Sequence, residues 1–299
     1  MVDAEEQDDF VYFLERRGRG AFLRAAPIEV AGELSRRLYR TVDTAVFASA
    51  TLAVAGRFDF VRRRLGLFQR VDEDGLPVGD GPVVDELVVG SPFDYRRQAA
   101  LYTPPNLPEP NDPSFLAAAV EEMEALVNLV EGGAFLLFTS VRNMERAHRD
   151  LAPRLPFPPL LQGELPKREL LARFREEPSV LFATASFWEG VDVPGDALRL
   201  VVIDRLPFAS PGDPVVAARV EAIRSRGGEP FSAYQVPQAA IALRQGFGRL
   251  IRTATDRGVV AILDRRIVTK GYGHTFVKAL PPCPRFAALP DLAAWGDAG

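Results

Sequence analysis

The 299-residue chain is poor in the side chains that hold metals and cross-links. It contains a single cysteine, Cys283, and two histidines, His148 and His274, that lie far apart in the sequence. One cysteine excludes an intramolecular disulfide framework, and two separated histidines with one thiol match no recognised metal-ligand spacing. We therefore expect no metal site and no iron–sulfur cluster in this chain, because such clusters need several thiolates.

Lysine is also rare. The chain contains only Lys167, Lys270 and Lys278. A phosphate-binding P-loop needs Gly-Lys followed by Ser or Thr, because the lysine reaches the phosphates and the hydroxyl binds Mg²⁺. None of the three lysines follows a glycine. The chain therefore carries no P-loop of its own.

Long apolar runs are also missing. No stretch reaches the ~18 to 20 apolar residues of a membrane span, and an acidic opening, with Asp3, Glu5 and Glu6, differs from the basic start of a signal peptide. We expect a cytoplasmic protein without membrane contact. A net charge of −4 and a pI near 5.5 argue against a protein that coats duplex DNA but leave a local basic groove open.

What the chain does have is a repeated alternation of apolar runs and helical spacing. Runs without alternation, such as Ala134–Phe138 and Val180–Ala185, are typical of parallel strands buried on both faces. Together with the helical segments between them, they predict an α/β fold with a doubly wound, mostly parallel sheet, in which ligands bind at the carboxyl ends of the strands. Further predicted strands are Leu160–Gln162, Leu198–Asp204 and Gly258–Leu263, and the predicted helices include Val141–Leu151, Lys167–Arg175 and Pro214–Arg224, with one or two helices over Tyr234–Arg252.

The beginning of the chain is interpreted as strand, helix, strand. Phe10–Leu14 is apolar, Val30–Leu38 has helical spacing, and Thr44–Leu52 is predicted to be a buried strand. The basic run Arg62–Arg64 is either a solvated helix face or a phosphate contact.

Residues 238–252 place Gln245, Arg249 and Arg252 on one stripe of a predicted helix, at positions i, i+4 and i+7. A guanidinium group cannot lose its proton and matches phosphate oxygens in a bidentate fork, so such a pair can neutralise charge on a transferring phosphoryl group. Two arginines in isolation are more often the solvated edge of an amphipathic helix. The flanking sequence favours the phosphate chemistry.

Four segments, in this order, resemble motifs three to six of DinG/XPD-type superfamily-two DNA helicases. They are Phe47–Leu52 (FASATL), Leu137–Ser140 (LFTS), Ser186–Gly195 (SFWEGVDVPG) and Gln245–Arg252 (QGFGRLIR). The resemblance covers nearly the whole chain and implies a RecA-like fold, that of a helicase C-terminal motor domain. Residues 1–55 would be the last piece of a first RecA-like domain, and residues 56–299 would form the second.

The resemblance also implies a nucleotide site shared between two domains. ATP with Mg²⁺ would bind between them, and the Walker A and B motifs would come from an upstream domain or another subunit. Val83–Glu86 follows the SATL segment and lacks the family's histidine, so it is not that Walker B motif. The implied catalytic residues are Arg249, Arg252 and Gln245, and Glu189, Gly190 and Asp192 join them in nucleotide binding.

Single-stranded DNA is the second implied partner. Small hydroxyls in loops can bind phosphate oxygens without reading bases, which suits a motor that moves over any sequence. Thr139 and Ser140 could equally cap the following helix, and Trp188 could stack on a base or, as we favour, fill a domain interface. The implied DNA-binding residues are Thr51, Thr139, Ser140, Thr184, Ser186 and Trp188.

We therefore interpret the chain as the C-terminal motor domain of an ATP-dependent DNA helicase that couples ATP hydrolysis to translocation and unwinding, inactive by itself. Two alternatives stay open. One is a non-catalytic DNA-binding or regulatory module, and the other is one subunit of a split helicase.

Overall fold

The computed structural model describes residues 9–18, 20–68, 82–184, 187, 193, 195 and 197–297. Contacts divide the chain into two compact units, Met1–Val89 with Phe208–Gln238, and Gly90–Pro207 with Ala239–Gly299. These units follow packing and divide the chain at other points than the boundary at residue 55, which stays a prediction. Among the described helices none is long and apolar enough to cross a membrane.

The first unit begins with an antiparallel hairpin. Strand β1, Phe10–Arg17, pairs along its length with β2, Gly20–Pro27. The predicted helix at Val30–Leu38 is confirmed as α1, Ala31–Leu34, which continues into a short π-helix, Ser35–Tyr39. The other helices of this unit are α2 (Asp59–Leu65), α7 (Pro214–Ser225) and a second π-helix, Phe231–Gln235.

The predicted buried strand Thr44–Leu52 is wrong. Residues 43–49 form no strand, and the side chains of Val46 and Phe47 are 86% and 38% exposed. An apolar segment becomes a buried strand only where neighbours accept and donate its backbone hydrogen bonds. In the described part of this unit the only paired strands are β1 and β2, and they pair with each other.

The second unit is built on a seven-stranded sheet, in which every pair is parallel. This confirms the predicted doubly wound α/β fold. The strand order is β5–β6–β4–β7–β8–β3–β9, where β3 is Ala99–Tyr102, β4 Ala134–Phe138, β5 Pro159–Leu161, β6 Val180–Thr184, β7 Leu200–Ile203, β8 Gly258–Ile262 and β9 Arg285–Phe286.

Helices cover both faces of this sheet. Leu136 and Phe182 belong to the core that packs against α4 and α5, whereas the ring of Phe135 lies 4.6 Å from that of Phe174 on α6, on the opposite face. Burial on both faces explains why these strands are continuously apolar. The helices are α3 (Tyr95–Gln98), α4 (Phe115–Leu129), α5 (Val141–Leu151), α6 (Lys167–Glu176), α8 (Val236–Phe247), α9 (Arg266–Thr269), α10 (Gly273–Ala279) and α11 (Leu289–Asp297).

Gly258 allows the close approach of β8 to the residues before β7. A Cβ atom at this position would press into the carbonyl oxygen of Arg199 and would lie 2.7 Å from Cδ1 of Leu250. The carbonyl of Arg199 accepts the N–H of Val259 at 2.8 Å, so it cannot move away without breaking the start of the β7–β8 pair.

Replacement of Gly258 by Ala should therefore destabilise the protein by about 1–3 kcal/mol, the usual range for overpacking a filled site. Urea unfolding measures the change in the free energy of unfolding. Gly271→Ala is the matched control, because a Cβ there meets no atom within 4 Å. Equal effects of the two substitutions would contradict the proposed clash.

Candidate functional site

The predicted helix Tyr234–Arg252 ends earlier than expected, because α8 stops at Phe247. The N–H of Gly248 still donates to a carbonyl four residues back, at 2.9 Å, but the N–H groups of Arg249 and Leu250 donate only three residues back, at 3.1 Å each. This is the tighter 3₁₀ pattern that often ends helices. The two glycines beside Phe247, Gly246 and Gly248, weaken the helix at the same point.

The single stripe of Gln245, Arg249 and Arg252 is therefore wrong. Gln245 lies exposed on the last turn of α8, whereas Arg249 and Arg252 are half-buried in the loop that follows. The two arginines are carried by one short turn rather than by a rigid helical face.

The carboxylate of Asp256 holds that turn in place. Its Oδ2 accepts the N–H of Arg252 at 2.7 Å and that of Thr253 at 2.9 Å. Its Oδ1 accepts the hydroxyl of Thr253 and the N–H of Gly195, the latter at 3.2 Å. Because the side chain of Asp256 captures the N–H of Arg252, the helix cannot continue through this residue. The same carboxylate joins the turn of Arg252 to the loop that precedes β7.

Gln98 supports the turn from another side. Its Nε2 donates to the carbonyl of Thr253 at 3.0 Å and to that of Asp256 at 2.9 Å, and its Oε1 accepts the N–H of Asp94 at 2.9 Å. All three contacts lie within the second unit. The turn is thus bonded to Gln98 and, through Asp256, to Gly195, and both of these residues lie far from it in the sequence.

Sequence reasoning assigned no role to Asp256 or Gln98. A local signal existed for Asp256, because an aspartate three residues after a threonine in a loop is typical of side-chain-to-backbone turns. No comparable signal exists for Gln98, whose partners lie 155 and 158 residues further along the chain.

The environment keeps Asp256 ionised. Burial pushes the pKa of this carboxyl up, but the hydrogen bonds from Thr253, Arg252 and Gly195 outweigh burial and leave the pKa below its ordinary value. The stabilisation is present above the pKa of the unfolded carboxyl and is lost as the pH falls through the lower, folded pKa. At neutral pH the turn is fully bonded.

The site residues divide between the two ends of the parallel sheet. Asp256 precedes β8 and Gly195 precedes β7, so this cluster lies at the amino end. Thr139 follows β4 and Thr184 ends β6, which confirms that they lie at the carboxyl end. Since β6 and β7 are both parallel to β4, the chain leaves β6 at the carboxyl end of the sheet and enters β7 at the amino end.

At the carboxyl end, Asp204 positions Thr139. The Oδ1 atom of Asp204 accepts the N–H of Thr139 at 2.9 Å, while Thr139 itself is exposed. The hydroxyl of Ser140 accepts the N–H of Asn143 at 3.2 Å as the N-cap of α5, so the capping alternative is confirmed for Ser140.

Burial raises the pKa of Asp204 to about 6, although Thr139 and Arg205 act in the opposite direction. The side chain is fully buried, and Nε of Arg205 lies 3.9 Å from its Oδ2. Near pH 6 this carboxyl therefore changes its charge directly beneath Thr139.

Two further predicted DNA contacts have partners within the protein. The N–H and the hydroxyl of Thr184 both lie on Oε1 of Gln162, at 2.7 and 3.1 Å, and Thr184 is buried. In the first unit, the N–H and the hydroxyl of Thr51 each lie 3.2 Å from the hydroxyl oxygen of Ser49. The hydroxyl proton of Thr184 is thus already used inside the protein.

Five predicted site residues lie outside the described part of the chain, namely Ser186, Trp188, Glu189, Gly190 and Asp192. Phe187, which lies among them, is buried, and Nζ of Lys167 lies 4.9 Å from the centre of its ring. The roles of the five stay predictions.

Substitution of Asp256 by Asn should destabilise the protein by about 1–3 kcal/mol in urea unfolding. Each carboxylate oxygen accepts two donors, so the amide nitrogen of Asn must face donors whichever way it turns. Asp213→Asn is the matched control, because a single oxygen of Asp213 caps α7 and asparagine caps equally well. A loss at position 213 as large as that at 256 would argue against the special role of Asp256.

The raised pKa of Asp204 predicts a pH-dependent stability. Because the folded pKa of about 6 lies above the ordinary value, the contribution is present at low pH and is lost as the pH rises through the folded pKa. Asp204→Asn keeps an acceptor for Thr139 and cannot ionise. Relative to this variant, the wild-type protein should lose on the order of 1 kcal/mol of unfolding free energy between pH 5 and pH 8. A difference that is the same at both pH values would refute the assignment.

Known proteins are similar to this chain in sequence and in fold. Residues 123–283, more than half of the chain, match the model of the helicase C-terminal domain family. The ATP-dependent DNA helicase YoaA of Escherichia coli is 40% identical over 93% of this chain and 42% of that protein. The ATP-dependent helicase DinG of Mycobacterium tuberculosis is 39% identical over 88% of this chain and 38% of that protein.

A solved XPD helicase superposes with a TM-score of 0.50 at 14% identity, over 63% of this chain and 36% of that chain, which supports the RecA-like fold. The chain spans less than half the length of the curated relatives named here. The matched range includes β4 to β8, α8 and the turn that Asp256 holds. The chain belongs to the helicase C-terminal domain family, as its resemblance to DinG/XPD-type helicases predicted.

Proposed function

We propose that this chain is the second motor domain of an ATP-dependent helicase that moves along single-stranded DNA. One observation carries the proposal: the Asp256 carboxylate binds both the turn that bears Arg252 and the backbone of Gly195. It thereby joins the two segments that resemble motifs five and six.

The arginine turn lies at the amino end of the sheet, opposite to the carboxyl end where the fold predicts ligands, and it has the chemistry that an ATP γ-phosphate requires. Arg249 and Arg252 are half-buried cations on one turn, and the backbone of that turn is fixed by Asp256 and Gln98. Fixed guanidinium groups stabilise charge that develops on a transferring phosphoryl group without reorganising during the reaction. We assign Arg252 and Arg249 to that role, with Gln245, on the preceding helical turn, as a polar contact.

In this proposal the remaining parts of the nucleotide site lie on a partner domain. A Walker-bearing RecA-like domain, in the same polypeptide or in a separate subunit, supplies the phosphate loop and the carboxylate that binds Mg²⁺. Glu189, Gly190 and Asp192 complete the nucleotide contacts from this chain. Magnesium supplies charge neutralisation of the phosphates when bound.

The carboxyl end of the sheet is assigned to single-stranded DNA. Thr139 is exposed there, and both its N–H and its hydroxyl bond to Asp204, so a contact with a phosphate requires the hydroxyl to turn away from that carboxylate. Ser140, Ser186 and Trp188 are assigned to the same role, and Thr51, in the first unit, is assigned separately as a DNA contact. Thr184 is the weakest member, because its hydroxyl binds Gln162.

We propose that the connection between β6 and β7 couples these two functions. Its described ends are Thr184, which closes β6 beside the proposed DNA contacts, and Gly195, which donates to Asp256. In this proposal a change in DNA binding shifts the backbone that holds Arg252. Coupling of this kind requires that both ligands bias the same element.

The purified chain alone should show no ATP turnover above background, because it has no P-loop lysine. Addition of the Walker-bearing half should restore hydrolysis that single-stranded DNA stimulates. DNA-stimulated turnover by the chain alone would refute this division of labour. Reconstitution that gives DNA binding without hydrolysis would favour a non-catalytic module.

In the reconstituted enzyme, Arg252→Ala should lower turnover by on the order of 10³ or more while leaving ATP affinity nearly unchanged. The guanidinium meets charge that develops only as the phosphoryl group leaves. Arg252→Lys should not restore the rate fully, because it lacks the bidentate fork. Arg224→Ala is the control, since Arg224 is exposed on α7 and pairs with Glu221. If Arg252→Ala raised only the ATP dissociation constant, the catalytic assignment would be wrong.

A further inference from the structure

A second cluster of arginines lies in the first unit, away from the residues assigned above. The guanidinium-bearing residues Arg63 and Arg64 on α2 and Arg219 on α7 line a cavity of about 50 Å³ together with Tyr234. That volume is several times the ~10–15 Å³ that one water molecule needs. The cavity therefore has room for a ligand larger than one water molecule.

The basic run Arg62–Arg64 separates into two roles. Arg62 points elsewhere, because its Nε donates to the carbonyl of Leu67 at 3.1 Å and its Nη1 lies 3.3 Å from Glu86. Arg63 and Arg64 remain to line the cavity. The run is therefore more than a solvated helix face.

Arg64 lies over two aromatic rings. The carbon of its guanidinium lies 5.8 Å from the ring centres of both Phe60 and Tyr234, and its side chain also hydrogen-bonds Tyr234. These contacts restrict the position of the guanidinium, which has more donors than the bond to Tyr234 uses. Burial, and next the positive charge of Arg219, lower the pKa of Arg64, so the structure brings two cations close together at an energetic disadvantage.

Arg219 is also fixed before any ligand binds. Its Nε donates to the carbonyl of Ile28 at 2.8 Å, and its Nη1 donates to the hydroxyl oxygen of Tyr234 at 3.4 Å. The hydroxyl of Tyr234 accepts that bond and can still donate its own proton. The cavity is thus lined by donors with set directions.

The charges around the cavity do not balance. Glu29 is the acidic residue of the lining, and its Oε1 already lies 3.5 Å from Nη1 of Arg226. Three arginines and one carboxylate therefore line the cavity, and that carboxylate acts on Arg64 and also pairs with a fourth arginine. A bound anion would neutralise this excess and relieve the repulsion between Arg64 and Arg219.

We propose that Arg63, Arg64, Arg219 and Tyr234 form a phosphate-binding pocket. Rigid arginine forks match phosphate oxygens, and a Tyr hydroxyl adds a neutral donor. The phosphate is either a backbone phosphate of single-stranded DNA or free inorganic phosphate. The pocket uses none of the residues assigned to ATP or DNA above, so it does not depend on the proposed helicase function.

Inorganic phosphate is the first probe. Thermal unfolding of the full chain is followed while phosphate replaces chloride at constant ionic strength, so that general screening is held fixed. Because a ligand that binds only the folded state stabilises it, the melting temperature should rise with phosphate concentration. The shift should disappear in the Arg63→Gln/Arg64→Gln variant and persist in Arg224→Gln, which removes a charge from the outer face of α7.

A dT oligonucleotide is the second probe. If the pocket holds a DNA phosphate, Arg63→Gln/Arg64→Gln should weaken oligonucleotide binding severalfold. It should also reduce the salt slope of the binding constant, by ~0.7 for each phosphate that the variant no longer neutralises. Arg224→Gln should leave both quantities unchanged. Phosphate stabilisation without any change in oligonucleotide binding would identify free phosphate as the ligand.

Two further measurements guard against a folding defect. The variants are compared with the wild-type protein in chloride alone, where near-ultraviolet circular dichroism reports the packing of Phe60 and Tyr234. Arg63→Gln alone changes an exposed side chain outside the aromatic stack and should still reduce the phosphate shift. If phosphate gives no stabilisation beyond chloride and the oligonucleotide binds the variants normally, the proposal is refuted.

Discussion

The second unit depends on one buried carboxylate, that of Asp256. Its four hydrogen bonds take up N–H groups that a longer α8 would use, fix the backbone of Arg252 and hold the backbone of Gly195. An ionised carboxylate inside a protein needs several donors, and here the backbone of the turn supplies most of them. The same bonds that satisfy Asp256 therefore set the direction in which Arg252 leaves the backbone. A helix carrying both arginines would have satisfied those N–H groups internally and left Asp256 without them.

The arginine turn and Thr139 lie at opposite ends of the parallel strands. Strands of five residues, such as β4 and β6, span roughly 17 Å, so the arginine turn and the Thr139 end are too far apart for direct contact. Any coupling between them has to cross the sheet, through packed side chains or through the connections between strands. Gly195, which donates to Asp256, belongs to the connection from β6 to β7. The carboxyl end is sensitive to pH, because protonation of Asp204 changes the charge of the group that accepts the N–H of Thr139.

The success and failure of prediction from sequence have physical causes. Ala134–Phe138 was predictable because burial on both faces of a parallel strand requires an unbroken apolar run, which the sequence displays directly. The end of α8 was not predicted, because Gln245 through Arg252 has helical spacing and the local signal of Asp256 does not show that its carboxylate outcompetes the helix for the N–H of Arg252. Gln98 was out of reach for a different reason, since its carbonyl partners belong to a distant part of the sequence. Thr44–Leu52 failed in the opposite way, because strand propensity alone does not provide neighbouring strands.

The two units differ in how their apolar side chains are used. In the second unit, Leu136, Phe182 and Val202 are fully buried in one core. In the first, Val83, Leu87 and Val89 are 77–80% exposed. A two-stranded hairpin such as β1–β2 is marginal in water without a further apolar surface to pack against, and exposed apolar side chains grouped in one unit are typical of an interface. The exposed residues 83–89 lie within 56–299, the predicted second domain, so the contrast does not test the boundary at residue 55. The turn held by Asp256 lies in the unit that has a continuous core of its own, and its hydrogen bonds are therefore backed by buried strands on the same sheet.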